Sequence, residues 1–222
     1  MSLFTGRTGD ALLVVDVQVG VMADLWQSQR IITTIADLVR RARLAGTPVV
    51  WVRHQGPGLQ AGSEEWQIVG ELMPEPGEQL IEKRFGDSFA ETTLDDALAA
   101  VGASHLWITG AQSDFCVRST LFGALYRGYD ATLVEDAHTT ADASYESLAF
   151  SGEQLVALVN KLAWTTRLPG VASRLCKAAD VAFSPAERLD DDDKLEAIEA
   201  EEQAEEDAED VAMGLGDPDT DA

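Results

Sequence analysis

Cysteine and histidine are scarce in this chain of 222 residues: the cysteines are Cys116 and Cys176, and the histidines are His54, His105 and His138. Two cysteines make no disulfide framework, so each thiol is read by itself. Three histidines scattered along the chain do not form a ligand cluster of the kind a His-rich metal site needs, so no metal and no cofactor are expected. Apolar runs are short, and none approaches the roughly 20 residues of a membrane span. The opening MSLFTGRTGD has no basic stretch leading into an apolar one. The expectation is therefore a cytoplasmic protein without a membrane partner. Basic residues are also few, 16 against 39 acidic ones. Phosphate binding needs clustered Lys and Arg, so nucleic acid is not expected as a partner.

The net charge of −23 is unevenly placed. Residues 187–222 hold 17 acidic and two basic side chains, which leaves only −8 for the rest. This acidic stretch, DDDDKLEAIEAEEQAEEDAED, has too few large apolar residues to offset the entropy of ordering it. The expected organisation is one folded domain over 1–184 and an acidic, disordered tail over 185–222. The tail reads either as a solvated segment or as an arm for a basic partner.

What is present is a regular alternation of strand and helix signals. Apolar runs predict strands at Ala11–Asp16, Pro48–Arg53, Gln79–Lys83, His105–Thr109 and Asp130–Glu135, with a short last one within Ala172–Leu175. Helical spacing predicts Ser28–Ala45, stopped by Gly46, and Ser151–Thr166, capped by Ser151. Further helices are expected at Ser63–Leu72, at Thr92–Val101 with Thr92 and Asp95 as a capping box, and at Cys116–Arg127. Such βαβ alternation predicts an α/β fold, a parallel sheet covered by helices on both faces. Sites in these sheets lie beyond the carboxyl ends of the strands. Asp16, Lys83 and the turn 110–115 all fall at such ends.

Three side chains there carry chemistry. Cys116 follows LWITGAQSDF, a strand and tight turn, and opens the predicted helix, where the helix N-terminus favours a thiolate. Asp16 ends an apolar strand and is placed to accept the thiol proton, its pKa raised by burial. A lysine at a strand end is ordinarily a surface charge; beside Asp16 and Cys116, the Lys83 ammonium would hold both anions together. The backbone amides of Gln112 and Cys116 form a candidate oxyanion hole. Gln18 would hold Asp16 or the backbone beyond it. Trp26, Phe85, Phe89 and Phe115 are candidates for an apolar pocket wall, and residues 56–62 with Trp66 for a flap over it.

These stretches resemble the isochorismatase-like cysteine hydrolase superfamily, which includes nicotinamidases and carbamoylsarcosine amidases. LLVVDVQVGVM is similar to its first strand, EKRFGDSFAETTL to its lysine segment with Phe89 and Thr92 in register, and GAQSDFCVRSTLFGALYRGYDATLVEDAHTT to its nucleophile block. The resemblance covers about Ala11 to Phe183. It implies a three-layer α/β/α sandwich with a six-stranded, mostly parallel sheet, usually assembled as dimers or larger oligomers. It implies a catalytic triad of Asp16, Lys83 and Cys116, and a cis peptide between Ala111 and Gln112 before the oxyanion hole. Nicotinamidases hold a metal through an Asp-x-His pair after the second strand; this chain reads RHQGPG there. The expected function is thus metal-independent cysteine hydrolysis of a C–N bond in a small amide, ureido or carbamoyl compound, through a thioester. The alternatives are another bond cleaved by the same scaffold, and a catalytically idle scaffold whose acidic tail binds a basic partner.

Overall fold

The computed structural model describes residues 2–183. The predicted tail over 185–222 lies outside the described residues. No described helix is long and apolar enough to cross a membrane.

Strand β1 (Gly9–Val15) is buried on both sides, and its alternate residues divide between two cores. Ala11, Leu13 and Val15 face one core; Leu12 and Val14 face the other. Continuous apolar sequence is what a strand covered on both faces requires. A four-residue helix α1 (Val19–Met22) follows, then α2 (Ser28–Ala45), β2 (Val49–His54) and β3 (Gln79–Lys83). Next come α3 (Leu94–Ala100) and β4 (Ala103–Ala111). A single π-turn, Ser113–Val117, leads into α4 (Arg118–Arg127) and β5 (Asp130–Thr139). A hairpin of β6 (Ala143–Tyr145) and β7 (Leu148–Phe150), helix α5 (Gly152–Thr165) and β8 (Ser173–Cys176) complete the order.

The six-stranded sheet runs β3-β2-β1-β4-β5-β8, and every neighbouring pair is parallel. Helix α2 covers one face with Ile31, Ile35, Leu38, Val39 and Ala42, the Ile, Leu and Val side chains each contributing about 1.5–3 kcal/mol when fully buried. Leu94 and Leu98 of α3, Leu121 and Ala124 of α4 and Val159 of α5 cover the other. The result is the expected three-layer sandwich. Gly46 ends α2 at φ 71, with its N–H bonded back to Arg43, and Ser151 caps α5 in a full capping box with Gln154.

Three local expectations change. Residues 63–72 form turns, not a helix, because their carbonyls are used elsewhere: the N–H groups of Val19 and Gly20 bond to Gln67 and Glu65. The Thr92–Asp95 capping box does not form, although Thr92 Oγ1 accepts from the Leu94 N–H at 3.3 Å. The same hydroxyl donates to the Ser88 carbonyl at 2.6 Å, and the helix starts two residues later, after Thr93. Cys116 does not open a helix but sits inside the π-turn, with α4 beginning at Arg118.

Candidate active site

Strand order reverses between β1 and β4, the place where parallel sheets open a crevice at their carboxyl ends. Asp16 stands one residue beyond β1, in the left-handed region at φ 51. The Cys116 turn stands just beyond β4. Gly110 lets the two strand ends approach: it has φ 118, and a Cβ there would lie 2.0 Å from the Val15 carbonyl oxygen. No side chain fits, so glycine at this position sets how near Asp16 and the turn can come.

Lys83 ends β3 beside His54, which ends β2 in direct register with it. The Lys83 ammonium lies 2.6 Å from Asp16 Oδ2, and neither side chain is more than 2% exposed. It also donates to the Phe85 carbonyl at 3.1 Å and faces His54 Nδ1 at 3.3 Å. An ammonium has no acceptor to offer, so His54 Nδ1 receives the hydrogen bond and Nε2 carries the imidazole proton. The Cys116 thiol stands next to the Asp16–Lys83 pair, close enough that both charges act on its titration. A carboxylate oxygen of Asp16, a ring nitrogen of His54 and Cys116 Sγ lie within 4.8 Å of one another.

Burial dominates the titration of these groups. It raises Asp16 above the ordinary carboxylate range, against the attraction of Lys83. It pushes the Cys116 thiol up to about 11, assisted by the Asp16 charge and opposed by Lys83. A thiol made easier to ionise by a helix N-terminus was the expectation; inside the π-turn, desolvation outweighs that effect. His54 is lowered by burial and by the Lys83 charge. Asp16, His54 and Cys116 are the one trio of metal-ligating side chains close enough to share an ion among the described residues. The ammonium bound to both Asp16 and His54 disfavours a divalent cation there, since it places a like charge on two of the three donors.

A cavity of about 510 Å³ opens onto this group. Asp16, His54, Gln112 and Cys116 form its polar side, and Val21, Leu59 and Phe115 its apolar side. The Ala111–Gln112 peptide is cis. Pro57, Gly58 and Leu59 of the predicted flap line the cavity, whereas Trp66 is buried under the Arg53 guanidinium, 3.2 Å from its ring.

Of the four aromatic candidates for the wall, Phe115 lines the cavity, whereas Trp26, Phe85 and Phe89 do not. Gln18 is fully buried behind the site; it accepts from the His54 N–H and donates to the carbonyls of His54 and Trp66. It therefore positions the end of β2. Trp26 lines a different cavity, with Arg30, His138 and Asn160. Phe89 is core, packed against Tyr129 with ring centroids 5.7 Å apart. Phe85 is half exposed and brings its carbonyl, not its ring, to the site. His54 was missed as a site residue. The predicted strand ends at Arg53, one residue short of His54, which ends β2 just as Lys83 ends β3. Cys176 stands on the edge strand β8, opposite Val134, away from the trio.

Residues 10–166 match the family model of the isochorismatase domain. The chain belongs to the isochorismatase family. It is 36% identical over 143 residues to a streptothricin hydrolase of Streptomyces noursei, covering 61% of this chain and 56% of that one. It is 30% identical over 215 residues to the ureidoacrylate amidohydrolase RutB of Methylobacterium radiotolerans, covering 77% and 83%. The chain thus spans about half the length of the streptothricin hydrolases it matches. Among solved structures, an isochorismatase of Pseudomonas putida superposes with a TM-score of 0.71 at 26% identity, over 79% of this chain and 91% of that one. The residues matched by the family model include Asp16, His54, Lys83 and the Cys116 turn.

Proposed function

We propose that this protein is a metal-independent cysteine hydrolase that cleaves a C–N bond in a small amide, ureido or carbamoyl compound. The observation that carries this reading is Cys116 Sγ within 4.8 Å of the Asp16 carboxylate, which Lys83 pairs at 2.6 Å, with Asp16 and Cys116 both lining the cavity. Similarity to a streptothricin hydrolase and to a ureidoacrylate amidohydrolase supports the choice of an amide-type bond.

In this reading Asp16 accepts the proton of Cys116 as the sulfur attacks the substrate carbon. The developing oxyanion is held by the backbone N–H groups of Gln112 and Cys116. Collapse of the tetrahedral intermediate breaks the C–N bond, and Asp16 returns the proton to the leaving nitrogen. A water molecule, deprotonated by Asp16, then hydrolyses the thioester and restores the thiol. Lys83 keeps its charge beside both acids throughout. His54 presents its Nε2–H to an acceptor on the substrate.

An idle scaffold does not explain a lysine and an aspartate buried together against a thiol, since burying charge without use is costly. The exposed hairpin side chains Tyr145, Leu148 and Phe150 support assembly as a homodimer or larger oligomer. The test is product release from a panel of small amides, ureides and carbamoyl compounds, with and without chelator. Cys116→Ala is expected to abolish turnover with the thermal transition unchanged; full activity in that variant removes the cysteine mechanism.

A further inference from the structure

His138 takes no part in the chemistry above, yet it is completely buried in β5 and joined to the nucleophile turn. Its surroundings form a chain of hydrogen bonds whose direction is fixed at every link. Asn160 of α5 donates from Nδ2 to the Glu135 carbonyl at 3.2 Å. That bond fixes the amide orientation, so Asn160 Oδ1 faces His138 Nε2, 2.7 Å away. A carbonyl oxygen only accepts, so Nε2 carries a proton. Burial pushes the imidazole down to about 4, so the ring is neutral at physiological pH and Nδ1 is bare. Ser113 Oγ lies 2.7 Å from Nδ1 and must therefore donate to it.

Ser113 is the first residue of the π-turn and Cys116 the fourth. The next residue, Asp114, is held from the same strand end: Thr140 Oγ1 donates to its carboxylate at 2.5 Å. Two consecutive turn residues are thus tied to residues 138–140. The ties are polar and directional. An apolar contact would fill the same space but would tolerate sliding, whereas a buried donor or acceptor that loses its partner is costly.

We propose that His138 is a positioning residue: through Ser113 it holds the π-turn so that Cys116 stays against Asp16, with Asn160 and the Glu135 carbonyl fixing its tautomer. This rests on the hydrolase reading, but it can be tested without a substrate. The test compares the full-length protein with Ser113→Ala, Ser113→Thr and Asn160→Ala. The first readout is the rate of Cys116 alkylation by iodoacetamide, located by peptide mass. The second is kcat and KM on the best amide of the panel. The third is the 15N signature of the His138 ring.

Ser113→Ala is expected to change Cys116 alkylation and to lower kcat at least tenfold, with KM moved less than twofold. Ser113→Thr, which keeps the hydroxyl, is expected to recover most of kcat. Asn160→Ala, on a partly exposed helix face, is expected to repeat the loss in smaller measure, and it decides the matter if Ser113→Ala does not fold. The His138 ring is expected to be the Nε2–H tautomer. A Nδ1–H tautomer overturns the proposal, as do alkylation and kcat both unchanged in the two alanine variants. If no amide is turned over by the unmodified protein, the hydrolase reading falls, while the alkylation rates and the ring tautomer still decide the role of His138.

Discussion

At Cys116, burial and reactivity pull against each other, and the resolution lies in where the proton goes. Loss of the thiol proton to water would leave Cys116, Asp16 and Lys83 with a net negative charge in a desolvated site; that loss is what burial pushes up to about 11. Handing the same proton to Asp16 leaves the net charge of the trio unchanged, so burial opposes it far less. The raised pKa of Asp16 helps, because a carboxylate that holds a proton more readily is a better acceptor for a thiol. Asp16→Asn separates the two processes. With the neighbouring anion gone, Lys83 acts on the thiol unopposed, and Cys116 alkylation is expected to reach its midpoint at lower pH. Turnover is nonetheless expected to fall about 10²–10⁴-fold, the usual contribution of a positioned base. Alkylation followed against pH, beside kcat, checks both; an upward shift of the midpoint or an unchanged kcat contradicts the assignment. The variant also leaves a buried ammonium without its counter-charge, which typically costs about 3–5 kcal/mol.

At the scale of elements, the site is an assembly of strand ends. Asp16 and the Cys116 turn follow β1 and β4, and His54 and Lys83 are the last residues of β2 and β3. This is why so much of it was legible in the sequence. An apolar run that stops at a charged residue marks both a strand and its carboxyl end, and Asp16 and Lys83 carry that mark. What was hard to read depended on contacts between distant segments. The segment 63–72 has helical composition, but its carbonyls bond to the chain after β1. Phe89 and Trp26 are aromatic residues near the right motifs, and only packing separates a core ring from a wall ring. Gly110 is the element-scale constraint that local sequence also hides. Gly110→Ala must push β1 and β4 apart, and is expected to cost roughly 3–5 kcal/mol in urea unfolding and most of the activity. Gly46→Ala is the control: its φ of 71 is equally left-handed, but nothing lies within 4 Å of the new methyl. It is expected to cost about 1 kcal/mol and to leave kcat unchanged. Equal effects of the two substitutions would mean that the strand approach does not set the site.

On the scale of the whole molecule, the question is how much chain the fold needs. The last described residues are structural. Val181 is buried in the α2 core, and the Phe183 ring meets Trp107 edge-on with centroids 5.9 Å apart. Arg41 of α2 donates to the carbonyls of Ala178 and Val181, and Thr47 to that of Phe183. The segment thus closes one face of the sheet, and every group of the proposed mechanism lies before it in sequence. A chain cut after Phe183 sheds most of the net negative charge and none of these contacts. It is expected to keep its thermal transition and to keep kcat within about twofold, the range of a surface change. A chain cut after Asp180 loses the burial of Val181, worth about 1.5–3 kcal/mol, and the Phe183 contacts besides. For a domain of this size that corresponds to a transition lowered by roughly 3–12 °C. Calorimetry and turnover of the two truncated chains separate the roles. If the longer one unfolds normally but loses turnover, residues 184–222 belong to the catalytic machinery and the site is not complete within 2–183. If turnover is kept and binding to a basic partner is lost, the acidic segment has a separate task, and the hydrolase and the arm are two functions on one chain.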